Sequence, residues 1–407
     1  MTVEDCMMDN SPQPPKQPLS GIRVLDISQV MAGPFCCMLL GDMGADVIKI
    51  EPPITGDSTR HSMGFRLKGE DSPGFLALNR NKRSITLNLK DPADREVLYA
   101  LVKTADIVVE NARPGVAARL GVDYDTLSAI NPRLVYASIS GFGQTGPWAQ
   151  HPGFDLIAQA TSGVLSSNGF PDMEPAKNSI AVADLGAGLF SVYGILSAII
   201  GRQTSGKGQY IDASLLEAAL GLSIWETTEY WGTGKAPTPI GSANRMSAPY
   251  QAVLAKDGWF VIGAANQGLW LTFIKALGRE ELQEDPRYST NAARVAHRAE
   301  LIGDLAGTLI TRTKQEWIDL LLGVGVPAAP ILDYGEAVVS EQAVARNMVQ
   351  MIAHPIEGEF KALGFPVKMR GTPQEVRLPP PLLNEHSAEI RAELVAKGLL
   401  PALENNQ

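Results

Sequence analysis

Several stretches of this sequence combine residue types and spacings suited to handling negative charge. The first is 181–209, AVADLGAGLFSVYGILSAIIGRQTSGKGQ, in which Asp184 ends a short apolar run directly before a segment rich in Leu, Ile, Ala and Val. An acid at that point stands where a helix N-cap sits, its carboxylate among free backbone N–H groups. Gly186 and Gly188 keep the following turn small enough to admit a ligand. Asp184 is therefore either an ordinary cap or a carboxylate presented to a bound molecule. A second stretch, Asn111-Ala112-Arg113-Pro114-Gly115 and the short helix carrying Arg119, follows a strand and can aim turn N–H groups and two cations at phosphate. The alternative for Arg113 and Arg119 is surface ion pairing. In a third stretch, GSANRMSAPYQ at 241–251, Arg245 is the cation of an otherwise uncharged loop, either solvated or free to pair with a substrate carboxylate.

Other motifs exclude chemistry. Gly141-Phe142-Gly143-Gln144-Thr145-Gly146 fits G-x-G-x-x-G, but Pro147 and Pro152 follow where a phosphate-binding helix would start. The stretch from Gly201 to Gly208 nearly spells a P-loop, yet it follows a helix and places Gly208 where a magnesium-binding hydroxyl is needed. Cys6, Cys36 and Cys37 have no metal-type spacing, so the sequence predicts no metal site, no disulfide framework and a reducing, cytoplasmic setting. A net charge of −9 argues against nucleic acid, although basic residues crowd into 82–90 and 113–133 and leave room for a local anion site. Residues 1–18, with acids and Pro12, Pro14, Pro15 and Pro18, read as a disordered tail and not as a targeting peptide. The longest apolar run, Leu189–Ile200, is too short to span a bilayer, so no membrane association is expected.

The elements that must position these residues follow from the apolar pattern. Ile22–Ser28 reads as a buried strand, Pro34–Met43 as a helix and Asp46–Glu51 as a strand, a βαβ unit that implies a parallel sheet. Its first turn, from Ser28 to Pro34, has a single glycine and lacks the clearance a dinucleotide pyrophosphate requires. Asp91-Pro92-Ala93-Asp94 starts a further helix. The pattern loosens over Trp225–Pro239, which reads as a linker into a second domain. In that domain Gly258–Ala264 alternates as a strand, Leu269–Leu277 is helical, and Thr313 with Glu316 forms a capping box. The expected organisation is a tail at 1–18, a large domain over 19–224, linker and small domain over 225–326, and a C-terminal segment from 327 to 407 that ends in an amphipathic helix at Ser387–Lys397.

VADLGAG at 182–188 with SGKGQ at 205–209 resembles the class III CoA-transferases. Further matching segments are LSGIRVLDIS at 19–28, MAGPF at 31–35, GADVIKIEPP at 44–53, TGDSTR at 55–60, LNRNKRSITLNLK at 78–90, VENARPGVAARLG at 109–121, ISGFGQTGP at 139–147 and GVPAAPI at 325–331. The branch that looks most similar is the succinyl-CoA:dicarboxylate transferases. The resemblance implies an α/β fold: a Rossmann-like large domain of parallel sheet and helices built from N- and C-terminal parts, plus a smaller α+β domain, in an interlocked homodimer. It implies Asp184 as the catalytic nucleophile, supported by Gln29 and Met31 at the thioester end of CoA, by Gly141 and Gly143 as oxyanion donors, and by Asp155. It also implies Leu87, Asn88, Lys90, Asn111, Arg113 and Arg119 as CoA-binding positions and Arg245 as a partner for a substrate carboxylate. The implied partners are an acyl-CoA and a free carboxylic acid, with no cofactor beyond coenzyme A as substrate. A racemase acting on 2-methylacyl-CoA is the nearest alternative, but its proton-shuttling His before Asp is replaced here by Phe154 before Asp155. A non-catalytic acyl-CoA-binding protein is the other, and it leaves Asp184 no task beyond capping.

Overall fold

The computed structural model describes residues 17–62 and 65–401. Almost all of the expected tail, Cys6 included, lies outside the described residues. The chain divides into two compact units. The first runs to Val164, resumes over Asn178–Trp225 and returns from Ala345 onward, and the second comprises Leu165–Lys177 with Glu226–Val344.

In the first unit, short runs of β-branched and aliphatic residues form a six-stranded parallel sheet: β1 (Arg23–Asp26), β2 (Asp46–Glu51), β3 (Lys82–Thr86), β4 (Ile107–Glu110), β5 (Val135–Ser140) and β6 (Tyr210–Ser214). Their order is β3-β2-β1-β4-β5-β6. Most of these strand residues are buried, as expected where helices cover both faces. The chain order reverses between β1 and β4, which pair from Val24 with Ile107 to Asp26 with Val109. At such a reversal the loops leaving the two strands diverge, and the crevice they open at the carboxyl ends is where ligands bind in sheets of this kind.

The helices of this unit that concern the site are α1 (Ala32–Asp42), α2 (Pro92–Val102), α3 (Val116–Leu120), α4 (Asp155–Thr161), α5 (Val182–Ser205) and α6 (Leu215–Leu222). Asp91 caps α2 through a bond from the Ala93 N–H, as its position before Pro92 predicts. The 24-residue α5 is the central packing element, lying against α1, α6 and β5. By length and composition it is apolar enough to cross a bilayer, and half of its most apolar stretch is buried inside the protein. Gly186 and Gly188 are buried rather than open to a ligand. A Cβ on Gly186 would come within 2.9 Å of Leu222, and one on Gly188 within 2.9 Å of the Ala32 carbonyl, so both glycines let α5 approach α6 and α1 closely.

The second unit holds an antiparallel sheet of β7 (Tyr250–Ala255), β8 (Gly258–Gly263) and β9 (Ala328–Pro330). It is packed with α7 (Gln267–Leu277), α8 (Arg298–Leu309) and α9 (Lys314–Gly323), the last opened by the Thr313–Glu316 capping box. β9 pairs with β8, which keeps the chain in the second unit past residue 326 and on to Val344. The stretch read as a linker is instead helical over Ile224–Thr233. The C-terminal return adds the hairpin β10 (Val349–His354) and β11 (Gly358–Leu363) and the helix α10 (Ser387–Ala396). α10 docks on β3, with Glu393 bonded to Arg83 at 2.6 Å and to Arg23 at 2.8 Å.

Candidate active site

A cleft opens at the carboxyl ends of β1 and β4. One part, a cavity of about 320 Å³, is lined by Gln29, Met31, Asn111, Arg113, Gly141 and Asp184 among others. A neighbouring cavity of about 380 Å³ is lined by Leu87, Asn88, Lys90 and Ala112. The two share Ile27, Gln29 and Ala112 in their walls and so form adjoining halves of one cleft. Residues far apart in the chain meet here because the sheet brings the loops after β1, β3, β4 and β5 to the same edge.

Asp184 lies in the first turn of α5, not at its cap. The helix begins at Val182 after the non-capping Ala181, and the capping is done from outside by Asp155. Asp155 Oδ1 accepts from the N–H groups of Ala183 at 2.9 Å and Asp184 at 3.3 Å, while Gln159 Nε2 donates to Asp155 Oδ2 at 2.6 Å. This is a cap delivered by a neighbouring helix, and sequence position alone gave no sign of it. Relieved of that role, the half-buried Asp184 carboxylate has no hydrogen bond or ion pair among the described residues. Burial first, then the Asp155 charge, push it up from the ordinary carboxylate value of 3.8 to about 6. It remains ionised at neutral pH, more basic than a free aspartate and unencumbered, as a carboxylate nucleophile must be.

The other expected residues separate by what holds them. Asn111 is committed to the loop after β1: its Oδ1 accepts from the Gln29 N–H at 2.9 Å and its Nδ2 donates to the Gln29 carbonyl at 2.7 Å. Gly141 is packed back to back with Gly153, where a Cβ on either would meet the other's Cα within 2.8 Å, which fixes the loop leading to Asp155. The Gly143 N–H already donates to Ser140 Oγ at 3.0 Å, and the Leu185 N–H to the Ala181 carbonyl at 2.9 Å, so neither is a free oxyanion donor in this conformation. Arg113 and Arg119 are exposed, and neither has a carboxylate partner among the described residues, which removes the ion-pair alternative for both. Arg113 lines the cleft, whereas Arg119 stands outside its walls on α3. Of the basic cluster at 82–90, Lys82 and Arg83 are buried against carboxylates, and Lys90 is the exposed cation in the cleft wall. His151 is exposed, as its place in a loop beside Pro152 implies, and it also lines the cavity with Asp184 and stacks on Trp148 at 6.3 Å between ring centroids.

In the second unit Arg245 is not a solvated arginine. Its side chain is 15% exposed; Nη2 donates to the Thr238 and Ser167 carbonyls, and Nη1 lies 3.5 Å from Glu229. No cluster of metal-type ligands occurs among the described residues.

The sequence matches the model of CoA-transferase family III over residues 19–387. This chain is a family III CoA-transferase. An acetyl-CoA:oxalate CoA-transferase of Acetobacter aceti is 40% identical, the match covering 96% of this chain and 99% of the relative. The succinyl-CoA:glutarate CoA-transferase of mouse is 36% identical, covering 93% and 87%. A CAIB/BAIF family crystal structure from Brucella suis superposes with a TM-score of 0.82 at 39% identity, covering 93% of this chain and all of that one. As a family III CoA-transferase the protein is an enzyme that acts on an acyl-CoA and a carboxylic acid. Relatives of similar identity are named for different acids, so similarity alone does not select this enzyme's acceptor.

Proposed function

We propose that this transferase moves CoA from succinyl-CoA to a C4 to C6 dicarboxylate, with Asp184 as covalent carrier. The observation that carries the reading is the unpartnered, basic Asp184 carboxylate in the wall of the cleft at the strand reversal. Its oxygen attacks the donor thioester carbonyl, the C–S bond breaks, and CoA leaves as thiolate from a mixed anhydride. The thiolate then attacks the aspartyl carbonyl, the C–O bond to the donor acyl group breaks, and the donor acid departs, leaving an aspartyl–CoA thioester. The acceptor carboxylate runs the two steps in reverse and restores Asp184. No water or proton is consumed, so the cleft must keep water from the anhydride.

Leu87, Asn88 and Lys90 in the second half of the cleft suit the nucleotide end of CoA, and Arg113 and Arg119 suit its phosphates. Asn111 contributes by shaping the loop that carries Gln29. The diacid preference is supported by relatives named for succinyl-CoA and glutarate. Arg245 reads the distal carboxylate by exchanging Glu229 for it. The enzyme is cytosolic, consistent with free Cys36 and Cys37, and needs no metal or organic cofactor. It is a homodimer, for which exposed Leu189, Phe190, Tyr193 and Ile200 on α5 provide an apolar surface.

The decisive experiment is hydroxylamine trapping during turnover followed by peptide mass spectrometry, which should label Asp184 alone. An Asp184→Ala enzyme that still transfers CoA at a near-normal rate would end this mechanism. For the acceptor, butyrate and succinate serving equally well would end the diacid reading. Arg245→Ala should weaken diacids about tenfold or more while sparing monoacids of the same length.

A further inference from the structure

The loop from β1 to α1 is held by its backbone at nearly every step. The Ser28 carbonyl accepts from Lys49 Nζ at 3.0 Å, Asn111 brackets both sides of Gln29, and the Pro34 carbonyl accepts from Lys82 Nζ at 2.9 Å. Between them Val30 has φ of 71°, in the left-handed region, and its N–H donates to Asp57 Oδ1 at 3.2 Å. A β-branched residue there is a true outlier that persists only where its surroundings impose it. Asp57 is wholly buried, and so are Lys49, Lys82 and Asp26. Lys49 Nζ lies 2.9 Å from Asp57 Oδ2 and 3.8 Å from Asp26 Oδ2, and Lys82 Nζ lies 2.8 Å from Asp26. Two cations and two carboxylates thus form a buried chain, Asp57–Lys49–Asp26–Lys82, beneath the loop that presents Gln29 and Met31 to the cleft.

Asp57 also caps the short 3-10 turn at Ser58–His61 through the Thr59 N–H, which by itself would explain an aspartate here. The cap requires neither the Val30 bond nor the lysine. We propose that Asp57, oriented by Lys49, is a positioning residue of the transfer reaction: it holds Val30 in the left-handed conformation and so keeps Gln29 and Met31 turned toward Asp184. This rests on the assignment of the cleft as the transfer site. Without the Asp57 bond Val30 relaxes to negative φ, and the residues on either side of it swing away from the cavity.

The test is a double-mutant cycle with a structural readout. Asp57→Ala, which removes the acceptor of the Val30 N–H, should lower kcat about tenfold or more, since small misplacements of reacting groups are costly, while the Kd for free CoA changes less than about threefold. Glycine adopts the left-handed conformation without strain, so in the Val30→Gly background the same Asp57→Ala change should cost less than about threefold in kcat. Equal losses in both backgrounds overturn the proposal. If Asp57→Ala does not fold because Lys49 is left without Asp57, the double variant Asp57→Ala with Lys49→Met, in which Asp26 keeps Lys82, enters the same cycle with the same two outcomes. A crystal structure of the Asp57→Ala protein should show residue 30 at negative φ, and an unchanged φ overturns the proposal. That readout needs no turnover, so it stands even if the wild-type protein proves inactive in CoA transfer, a result that would sink the functional reading alone.

Discussion

A carboxylate without partners is expensive to keep ionised, and Asp184 accepts that cost. Its value near 6 lies above the 3.8 of an unfolded aspartate, so the folded state binds this proton more tightly and loses stability as pH rises from about 4 through 6. Asp184→Asn should therefore abolish transfer and yet stabilise the protein at pH 7 by about 1–3 kcal/mol, the upper end being the full shift and the lower allowing for partial solvation. Urea denaturation would show this as a higher midpoint, and a midpoint below wild type contradicts the assigned burial. In the wild type, kcat/KM for acyl-CoA should fall with acid below about pH 6 as the nucleophile is protonated. Asp155 separates charge from capping: in Asp155→Asn the amide oxygen still accepts the Ala183 N–H, but the negative charge is gone. The acid limb should move to lower pH while thermal stability changes little; a limb that stays put removes Asp155 from the electrostatics of the site. The sequence drew attention to Asp184 by its place before an apolar helix but left a capping role and a ligand-facing role open; the structure removes the capping role, since the helix starts at Val182. Its actual cap comes from a residue 29 positions earlier, a contact that no local pattern encodes.

Among the elements, α5 decides how much of the site stays in register. Gly188 sits against the Ala32 carbonyl at the start of α1, directly after the loop bearing Gln29 and Met31. Gly188→Ala places a methyl group within 2.9 Å of backbone, which should cost about 1–3 kcal/mol. Because the displaced backbone borders the site, kcat should fall as well. Measuring both on one sample tests the coupling, and a destabilised variant with normal kcat would show that the helix contact is independent of the loop. Strands and helices with clear periodicity were legible: β2 and the α9 capping box lie where the pattern puts them. Ile224–Thr233 was not, because Thr, Gly and exposed Trp225 and Trp231 hide its period. The short β9 takes its strand character from pairing with β8 and not from its own Ala and Pro.

At the scale of the whole molecule, a chain with a net charge of −9 binds a polyanionic thioester, so attraction must be local. Arg113, Arg119 and Lys90, all without ion pairs among the described residues, are placed to supply it. Arg119→Ala should raise KM for acyl-CoA more than it lowers kcat and should flatten the salt dependence of KM. An unchanged KM would remove Arg119 from substrate binding. Light scattering should give a dimer, and a monomer would leave the apolar face of α5 unexplained. The parallel sheet follows from the βαβ pattern at 22–51, whereas the strand reversal and the late return of the chain at 345 do not, because they depend on contacts made far apart in the chain. That return has a consequence for biosynthesis. Glu389 and Glu393 of α10, which pair with Arg83 and Arg23 on the sheet, are made only after the whole of the second unit. Until then Arg83 and Arg23 share the single carboxylate of Asp46 as their ion-pair partner, for on the order of ten seconds while the second unit is translated. A stop codon just before Ser387 should therefore yield a chain that is held by chaperones and degraded in the cell, although every residue of the cleft has been made.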